Sequence, residues 1–386
     1  MITEIPKSEF QERIKRIQKQ LAERGLDALL TFGSEAEPQY VRYLADYWPA
    51  FETASVLVPV EGSPILIIGP ESLTFARGRS KIDEIRRILE YRESSEPEYP
   101  GVTLDTFPSV FSEISKGKGV KNLGIAGYTV ANVPVYTALQ QAMTGGKIVR
   151  ADDIVIEMRK IKSANEIALL RQSSKIAEKA VEAVLQNIMI GMREVEVVGI
   201  AQEVIYRNGA EYEGHPMYVL SGKFSTNAIG RPSLKKIEAG EVVQLNIGAR
   251  FGGYASSVGR PICLGHMPSD VKGLLQTGLD ASNMTMSLMK AGVIAKDVVN
   301  QVQGLIRERG YGSNILYGPC HGLGLMECEH PWMESNSDYI LQENYTFQVD
   351  SFLQTKEYGA RWEDGVRVTQ DGVEKFSSYR RELIVI

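Results

Sequence analysis

The chain has 386 residues, 43% of them apolar and 24% charged, with a formal net charge of −5. That is length for two domains and the composition of a globular protein, which excludes intrinsic disorder. The negative balance without any Lys/Arg block excludes a dedicated nucleic-acid binder, and no apolar run approaches the ~20 residues of a membrane span. Three cysteines, Cys263, Cys320 and Cys328, cannot close a full disulfide framework and fit a reducing compartment. The charged start "MITEIPKSEFQERIKRIQ" is no signal peptide, so a cytoplasmic protein is expected.

Phe10, Ile14, Ile17 and Leu21 stand at helical spacing with Gly25 as the stop, which predicts a helix over 8–25. "DALLTFG" reads as a strand, and "ASVLVPVEGSPILIIG" as a hairpin around Glu61-Gly62. "KIDEIRRILEY" reads as a helix, "KNLGIAG" as a strand and "VPVYTALQQAM" as a helix. Alternation of both kinds points to an α/β domain with a mixed sheet. The joint is placed at residue 155, giving domains of 1–155 and 156–386. Ser163-Ala164-Asn165-Glu166 has capping-box spacing and opens the first of two long helices, 163–188 and 194–208. A helix pair over 268–309 follows, and short strands run to Ile386. Helices around an antiparallel sheet make this part α+β.

"VVQLNIGARFGGYASSVGRP", Val242 to Pro261, reads as two short strands joined by a Gly-Gly-Tyr turn. Its inward candidates, Asn246 and Ser257, are neutral where a metal-binding hairpin would carry carboxylates. His321 sits in the glycine-rich "GPCHGLGLMECEHPW", where the backbone can approach a ligand closely; Glu327, Cys328 and Glu329 lie between it and His330. Asp350 ends the β-patterned "YTFQVD", and Glu363 lies in "ARWEDGVRV". The residues alone leave open whether these side chains converge in one pocket or are satisfied loop carboxylates and a core imidazole. A strand through "LMECEH" puts Cys328 on one face with Met326 and His330, as a small buried residue rather than a nucleophile. Arg260 and Arg361 offer a bidentate carboxylate clamp or structural ion pairs.

The order of "LNIGARFGGYASSVGRPICLG", "GPCHGLGLMECEHP", "YTFQVDSF" and "WEDGVRVTQDG", with "VIEMRKIKSANEIALLRQSSKIAEKAV" ahead of them, resembles the pita-bread (M24) family of creatinase, aminopeptidase P and prolidase. The resemblance runs over essentially the whole chain. It implies an α+β pita-bread catalytic domain preceded by an α/β creatinase/prolidase-type N-terminal domain. In metal-dependent members the ligands Asp, Asp, His, Glu and Glu hold two divalent ions, and these positions fall on Asn246, Ser257, His321, Asp350 and Glu363. Two carboxylates are replaced and one is shortened by roughly 1.5 Å. Paired dications need anionic oxygen, so a two-metal centre is not expected. A single ion on His321, Asp350 and Glu363 is the metal-bearing alternative. Creatinase works without metal and resembles the chain at Leu245-Asn246. Its catalytic histidine, however, falls on Ile229 or Gly230, and one of its glutamates on Gly259. The substrate-binding histidine of the family falls on Cys328, with His330 two residues on, and Glu329 matches the acid that follows it.

These readings lead to a metal-independent hydrolase, with no cofactor, that cleaves a C–N bond of a small amino-acid-like, guanidino or amide substrate. His321 is the expected base, oriented by Asp350 or Glu363, with Asn246, Ser257, His215, Glu329, His330 and Arg361 lining the substrate site. A metal-dependent Xaa-Pro dipeptidase or aminopeptidase is the first alternative, a non-catalytic binding protein the second. The resemblance also implies a homodimer in which the segment Tyr47–Ser55 of one subunit reaches the partner's site.

Overall fold

Phe10, Ile14, Ile17 and Leu21 form the buried stripe of the first helix, α1 (Lys7–Arg24), and Gly25 ends it in the left-handed conformation at φ 65°. The structure is a computed structural model and describes residues 3–143 and 145–386. Among them, α1 is followed by β1 (Ala28–Thr31), α2 (Gln39–Ala45), β2 (Ala54–Pro59), β3 (Ile65–Ile68), α3 (Leu73–Arg79), β4 (Glu84–Arg87), α4 (Phe107–Ile114), β5 (Asn122–Ala126), α5 (Val133–Ala142), β6 (Lys147–Arg150) and α6 (Asp152–Lys160). The strands form one mixed sheet in the order β4-β3-β2-β1-β5-β6. Every residue of β1, β2 and β3 is buried, which is why they read as continuous apolar runs rather than alternating ones.

One predicted helix is a strand. "KIDEIRRILEY" becomes β4, paired in parallel with β3, and a 3-10 turn at Leu89–Tyr91. Ile82, Ile85 and Ile88 mimic a helical stripe at spacing three. They are β-branched, however, and the Ile88 amide continues the ladder onto the Ile68 carbonyl. The expected joint at residue 155 lies inside α6, and the two structural units part after Arg159.

The second unit begins with the capping box, in which the Glu166 amide donates to Ser163 Oγ and the Ser163 amide to the Glu166 carboxylate. It holds α7 (Ala164–Asn187) and α8 (Glu194–Arg207). Next come β7 (Tyr212–Glu213), β8 (Tyr218–Ser221), β9 (Val242–Ile247), β10 (Ala249–Phe251), β11 (Tyr254–Ala255) and β12 (Val258–Cys263). The helices α9 (Ser269–Leu288) and α10 (Ala295–Glu308) precede β13 (Cys320–Gly322), β14 (Glu329–Met333), β15 (Thr346–Gln354), β16 (Gly359–Val368), β17 (Val373–Lys375) and β18 (Ile384–Val385). The main path of its large sheet is β14-β13-β15-β16-β12-β9-β8. Val243, Leu245 and Ile247 of β9 with Val258 and Ile262 of β12 pack on α7 and α8. Phe347, Val349 and Leu353 of β15 with Ala360 and Val366 of β16 pack on α9 and α10. In the β10–β11 turn, Gly252 and Gly253 adopt φ 54° and 92°, the pair of positive values that a two-residue hairpin turn requires.

On the helix-packed side of the sheet, Arg260 and Asp364 are fully buried and joined by an Nη2–Oδ1 contact of 2.8 Å. Arg260 also donates to the carbonyls of Tyr379 and Arg380, and Arg381 donates to Asp364. Removing the anion would strand two cations in the interior. Asp364→Ala is expected to cost about 3–5 kcal/mol, read as a lower urea midpoint.

Candidate active site

Side chains alternate across a pleated strand, and the register of the large sheet gathers one set of alternates on the side away from the helices. Tyr218 pairs with Asn246, and Gly259 pairs with both Asn246 and Glu363. Asp350 faces Glu363, Phe352 faces Arg361, and His321 lies between Gln348 and Trp332. Ser257 is two residues from Gly259 and shares its side. Gly259 is needed there, because a Cβ would come within 2.6 Å of the Glu363 Cβ.

Around Glu363 the contacts are dense. The Asn246 amide donates to Glu363 Oε2, and the Ser257 hydroxyl lies 2.8 Å from the same oxygen. The His215 ring, in the bend before β8, places Nε2 3.0 Å from that hydroxyl. His215 Nδ1 is 2.7 Å from the Pro216 carbonyl, which can only accept, so Nδ1 carries the hydrogen and Nε2 offers its lone pair. His321 Nδ1 likewise faces the Gly322 carbonyl at 3.1 Å. His321 Nε2 therefore points to Glu327 Oε1 at 3.7 Å and Glu363 Oε1 at 3.9 Å.

Glu327 is the residue that sequence reading passed over. It sits in the bend between β13 and β14, a segment expected as strand through "LMECEH"; the ladder shifts register after His321 and resumes at Glu329. No period of two applies in a bend, so the shared face of Met326, Cys328 and His330 does not form. Cys328 is exposed and still within hydrogen-bonding reach of His321. Its place six residues after the histidine was the available signal for Glu327. Tyr218, Tyr317 and Trp332 also join the site from outside the expected set. The His321 and Trp332 ring centroids are 5.2 Å apart.

Asp350 is engaged by Tyr317 and Arg361. Its Oδ2 accepts from the Tyr317 hydroxyl at 2.7 Å, and Oδ1 is 3.4 Å from Arg361 Nε. Arg361 is held between the Tyr218 and Phe352 rings, with centroids 5.4 and 5.2 Å from its Cζ. Glu329 is buried away from the cluster in an ion pair with Lys162, 3.0 Å long. His330 is exposed. Arg260 lies on the opposite side of the sheet, with Asp364.

The electrostatics of the cluster are unbalanced. Burial, reinforced by the charges of Glu327 and Asp350, pushes the Glu363 carboxyl up to about 8 against the pull of Arg361. Burial works against a charged His321, but Glu327, Cys328 and Asp350 outweigh it and hold the ring well above its usual range. Desolvation lowers His215, with Glu363 opposing. A nitrogen and two carboxylate oxygens, one each from His321, Glu327 and Glu363, lie within 4.8 Å of one another. Among the described residues Glu327 Oε1 has no donor on it. Ligands of one divalent ion stand roughly 3–3.5 Å apart, so to hold a cation this set would close by a few tenths of an ångström at His321 and by up to about an ångström across the whole group, and the positive charge would relieve the crowded acids.

Residues 168–370 match the metallopeptidase family M24, and residues 13–161 match the creatinase/prolidase N-terminal domain. The chain belongs to family M24, with an α+β pita-bread domain behind a creatinase-type domain, and is a hydrolase of that family. It is 26% identical over 97% of its length to a Xaa-Pro dipeptidase of Pyrococcus furiosus, all of which is covered. It is 27% identical to a Xaa-Pro dipeptidase of Pyrococcus horikoshii, over 97% of this chain and 99% of that one. The crystal structure of the prolidase from Pyrococcus horikoshii superimposes with a TM-score of 0.83 at 25% identity, covering 97% of this chain and all of the other. An X-Pro aminopeptidase from Thermotoga maritima shares the fold, with a TM-score of 0.84 at 24% identity over 97% of this chain and 99% of that one.

These findings correct the expectation of a protein without cofactor. The family is one of metallopeptidases, and His321 and Glu363, expected as ligands of a single ion, stand with Glu327 as a group that could hold a metal ion. The expectation of a metal-independent hydrolase is not supported by these relatives. Among the described residues no helix is long and apolar enough to cross a membrane.

The raised groups fix a pH dependence. Folded Glu363 keeps its proton up to about 8, whereas the unfolded chain releases it near 4.5. The native state then binds more protons, and stability falls as pH rises between those values. His321, raised above 6.5, acts in the same direction: its contribution is full at low pH and is lost as pH climbs through the folded value. Chelator-treated protein should therefore melt at lower temperature at pH 8 than at pH 5, and Glu363→Gln should flatten that slope in a thermal-unfolding series.

Proposed function

We propose that the protein is a metal-dependent dipeptidase of the Xaa-Pro type. The observation that carries this reading is the convergence of His321, Glu327 and Glu363 around one gap on the sheet side away from the helices. Those three residues would hold the cation, which when bound supplies Lewis acidity to the scissile carbonyl. The full-length similarity to two Xaa-Pro dipeptidases supports the substrate class. So do the rings of Tyr218, Tyr317, Trp332 and Phe352, which offer apolar walls to a proline ring, and the Arg361 guanidinium, which suits a carboxylate.

The chain's own residues handle the protons. The Ser257 hydroxyl has one hydrogen for two acceptors, His215 Nε2 and Glu363 Oε2. It therefore links the Glu363 carboxyl group with an imidazole kept neutral by desolvation. A proton taken up at Glu363 can pass through Ser257 to His215 and on to the leaving amine. Hydrolysis of a Xaa-Pro dipeptide after loading with Mn²⁺, Co²⁺ or Zn²⁺, abolished by chelation and by His321→Ala, is the expected result. Absence of turnover with every loaded metal would remove the reading. His215→Ala should lower kcat by about 100-fold with bound metal unchanged.

We further propose a cytoplasmic homodimer acting on small peptides. The three unpaired cysteines support the compartment. For the dimer, Phe51 is 84% exposed at φ 60° on a short loop that also holds Asp46 at φ 53°. Positive φ in a bulky residue persists only where the surroundings impose it. Here the Glu52 carboxylate is pinned by the amides of Glu71 and Ser72, and the Trp48 indole donates to the Glu35 carbonyl. The loop thus holds out an aromatic ring for a partner's site. Phe51→Ala should raise KM and leave metal content and melting temperature unchanged.

A further inference from the structure

We infer that the site takes one divalent cation per chain, that Glu327 supplies the negative charge it needs, and that Asn246 and Ser257 orient Glu363 toward that cation. The inference rests on the cation-dependent reading above and adds its stoichiometry and ligand set.

Three observations lead there. First, Glu363 is used asymmetrically. Asn246 Nδ2 and the Ser257 hydroxyl both sit on Oε2, while Oε1 is the oxygen that faces His321 Nε2. The amide N–H is a donor, and its placement fixes which Glu363 oxygen is free for the cation; Asn246 Oδ1, also without a hydrogen bond among the described residues, is neutral and adds no charge to the set. Both residues are buried, Asn246 completely. They orient a ligand in the way that hydrogen-bond partners behind a metal ligand do.

Second, Asp350 is committed elsewhere. Asp350 takes the Tyr317 hydroxyl on Oδ2, and although its Oδ1 accepts no hydrogen bond among the described residues, it lies 3.4 Å from Arg361 Nε, so its charge is balanced by a neighbouring cation, which that of Glu327 is not. Arg361 in turn donates to the Tyr317 hydroxyl at 2.9 Å and to the Ala228 carbonyl at 2.6 Å, so the arginine is fixed in place. Drawing Asp350 toward His321 would leave that guanidinium buried and unpaired.

Third, Glu327 is where the missing charge has gone. Its Oε1 is the nearer of the two carboxylate oxygens to His321 Nε2, at 3.7 Å against 3.9 Å, and no donor satisfies it among the described residues. Once a cation displaces their protons, the ligand set is one neutral imidazole and two carboxylates, which balances one dication. Two ions about 3.5–4 Å apart would set four positive charges against two negative ones, with no bridging carboxylate left between them. Imidazole with carboxylate oxygens suits Zn²⁺, Co²⁺ or Mn²⁺.

The test is equilibrium dialysis of the chelator-stripped full chain against Zn²⁺, Co²⁺ and Mn²⁺, with metal and protein counted separately. One ion per chain is expected. Glu327→Gln should weaken its binding by about 100-fold, and Asp350→Asn should leave it unchanged. Two ions per chain would overturn the inference and leave the dipeptidase reading standing. So would a Glu327→Gln variant that binds as tightly as the parent, or an Asp350→Asn variant that loses as much as Glu327→Gln. No ion under any condition would remove the cation-dependent reading and this inference with it. Should Glu327→Gln fail to fold, Glu327→Asp takes its place. It is expected to shift the visible absorption of bound Co²⁺, which Asp350→Asn should not; an unmoved spectrum in Glu327→Asp overturns the role of Glu327.

Discussion

Strands β15 and β16 pair from Thr346↔Arg367 to Gln354↔Gly359, with Asp350 opposite Glu363, and that single register decides which side chains of the second unit can meet. A slip of one residue would send Glu363 to the helix-packed side and bring Asp364 to the site. The apolar alternates prevent the slip: Phe347, Val349 and Leu353 on one strand and Ala360 and Val366 on the other are locked into the core with α9 and α10. The chemistry of one side of the sheet is thus specified by hydrophobic burial on the other. Arg260 and Asp364 add a polar lock on the buried side, tied to the backbone of residues 379 and 380.

This division explains how ligands can change while the fold does not. Substitutions at Asn246, Ser257 and Asp350 lie on the side that carries no part of the helix-packed core, so they alter charge without touching packing. What constrains them is desolvation. A buried carboxylate must find donors, a cation or a proton. Asp350 has the arginine and the tyrosine, and Glu363 has two donors on one oxygen and a proton up to about 8. Among the described residues Glu327 Oε1 has no hydrogen-bond donor and no ion-paired arginine, and its carboxylate crowds that of Glu363, so it is the acid whose position calls for a cation.

Much of the architecture was legible in the sequence because it follows local rules with a fixed period or a fixed chemistry. The stripe of α1, the Ser163/Glu166 box, the paired glycines of the β10–β11 turn and the order of motifs along the second unit all belong to this class. Where two patterns coincide, reading failed. Ile82, Ile85 and Ile88 satisfy a helical spacing and a β-branched strand equally, and pairing with β3 decided between them. The site was legible to the extent that its residues lie on strands: Asn246, Asp350 and Glu363 occupy the expected side, and His321 follows from its glycine-rich surroundings. Glu327 lies in a bend, where neither period applies and only the coordinates give direction.

The shorter side chain at Asp350 implies a loss of reach toward a metal, and reach alone does not describe what happens there. The side chain is not left short of a ligand position; it is captured by Arg361 and Tyr317, whose attraction competes with that of any cation. In such a cluster the anion nearest a guanidinium is the one a metal is least able to recruit, because recruiting it would leave the guanidinium uncompensated in a desolvated site. A ligand set written from aligned positions alone therefore assigns Asp350 to the metal. One written from where each charge is already balanced assigns Glu327 in its place, with a single ion in either case.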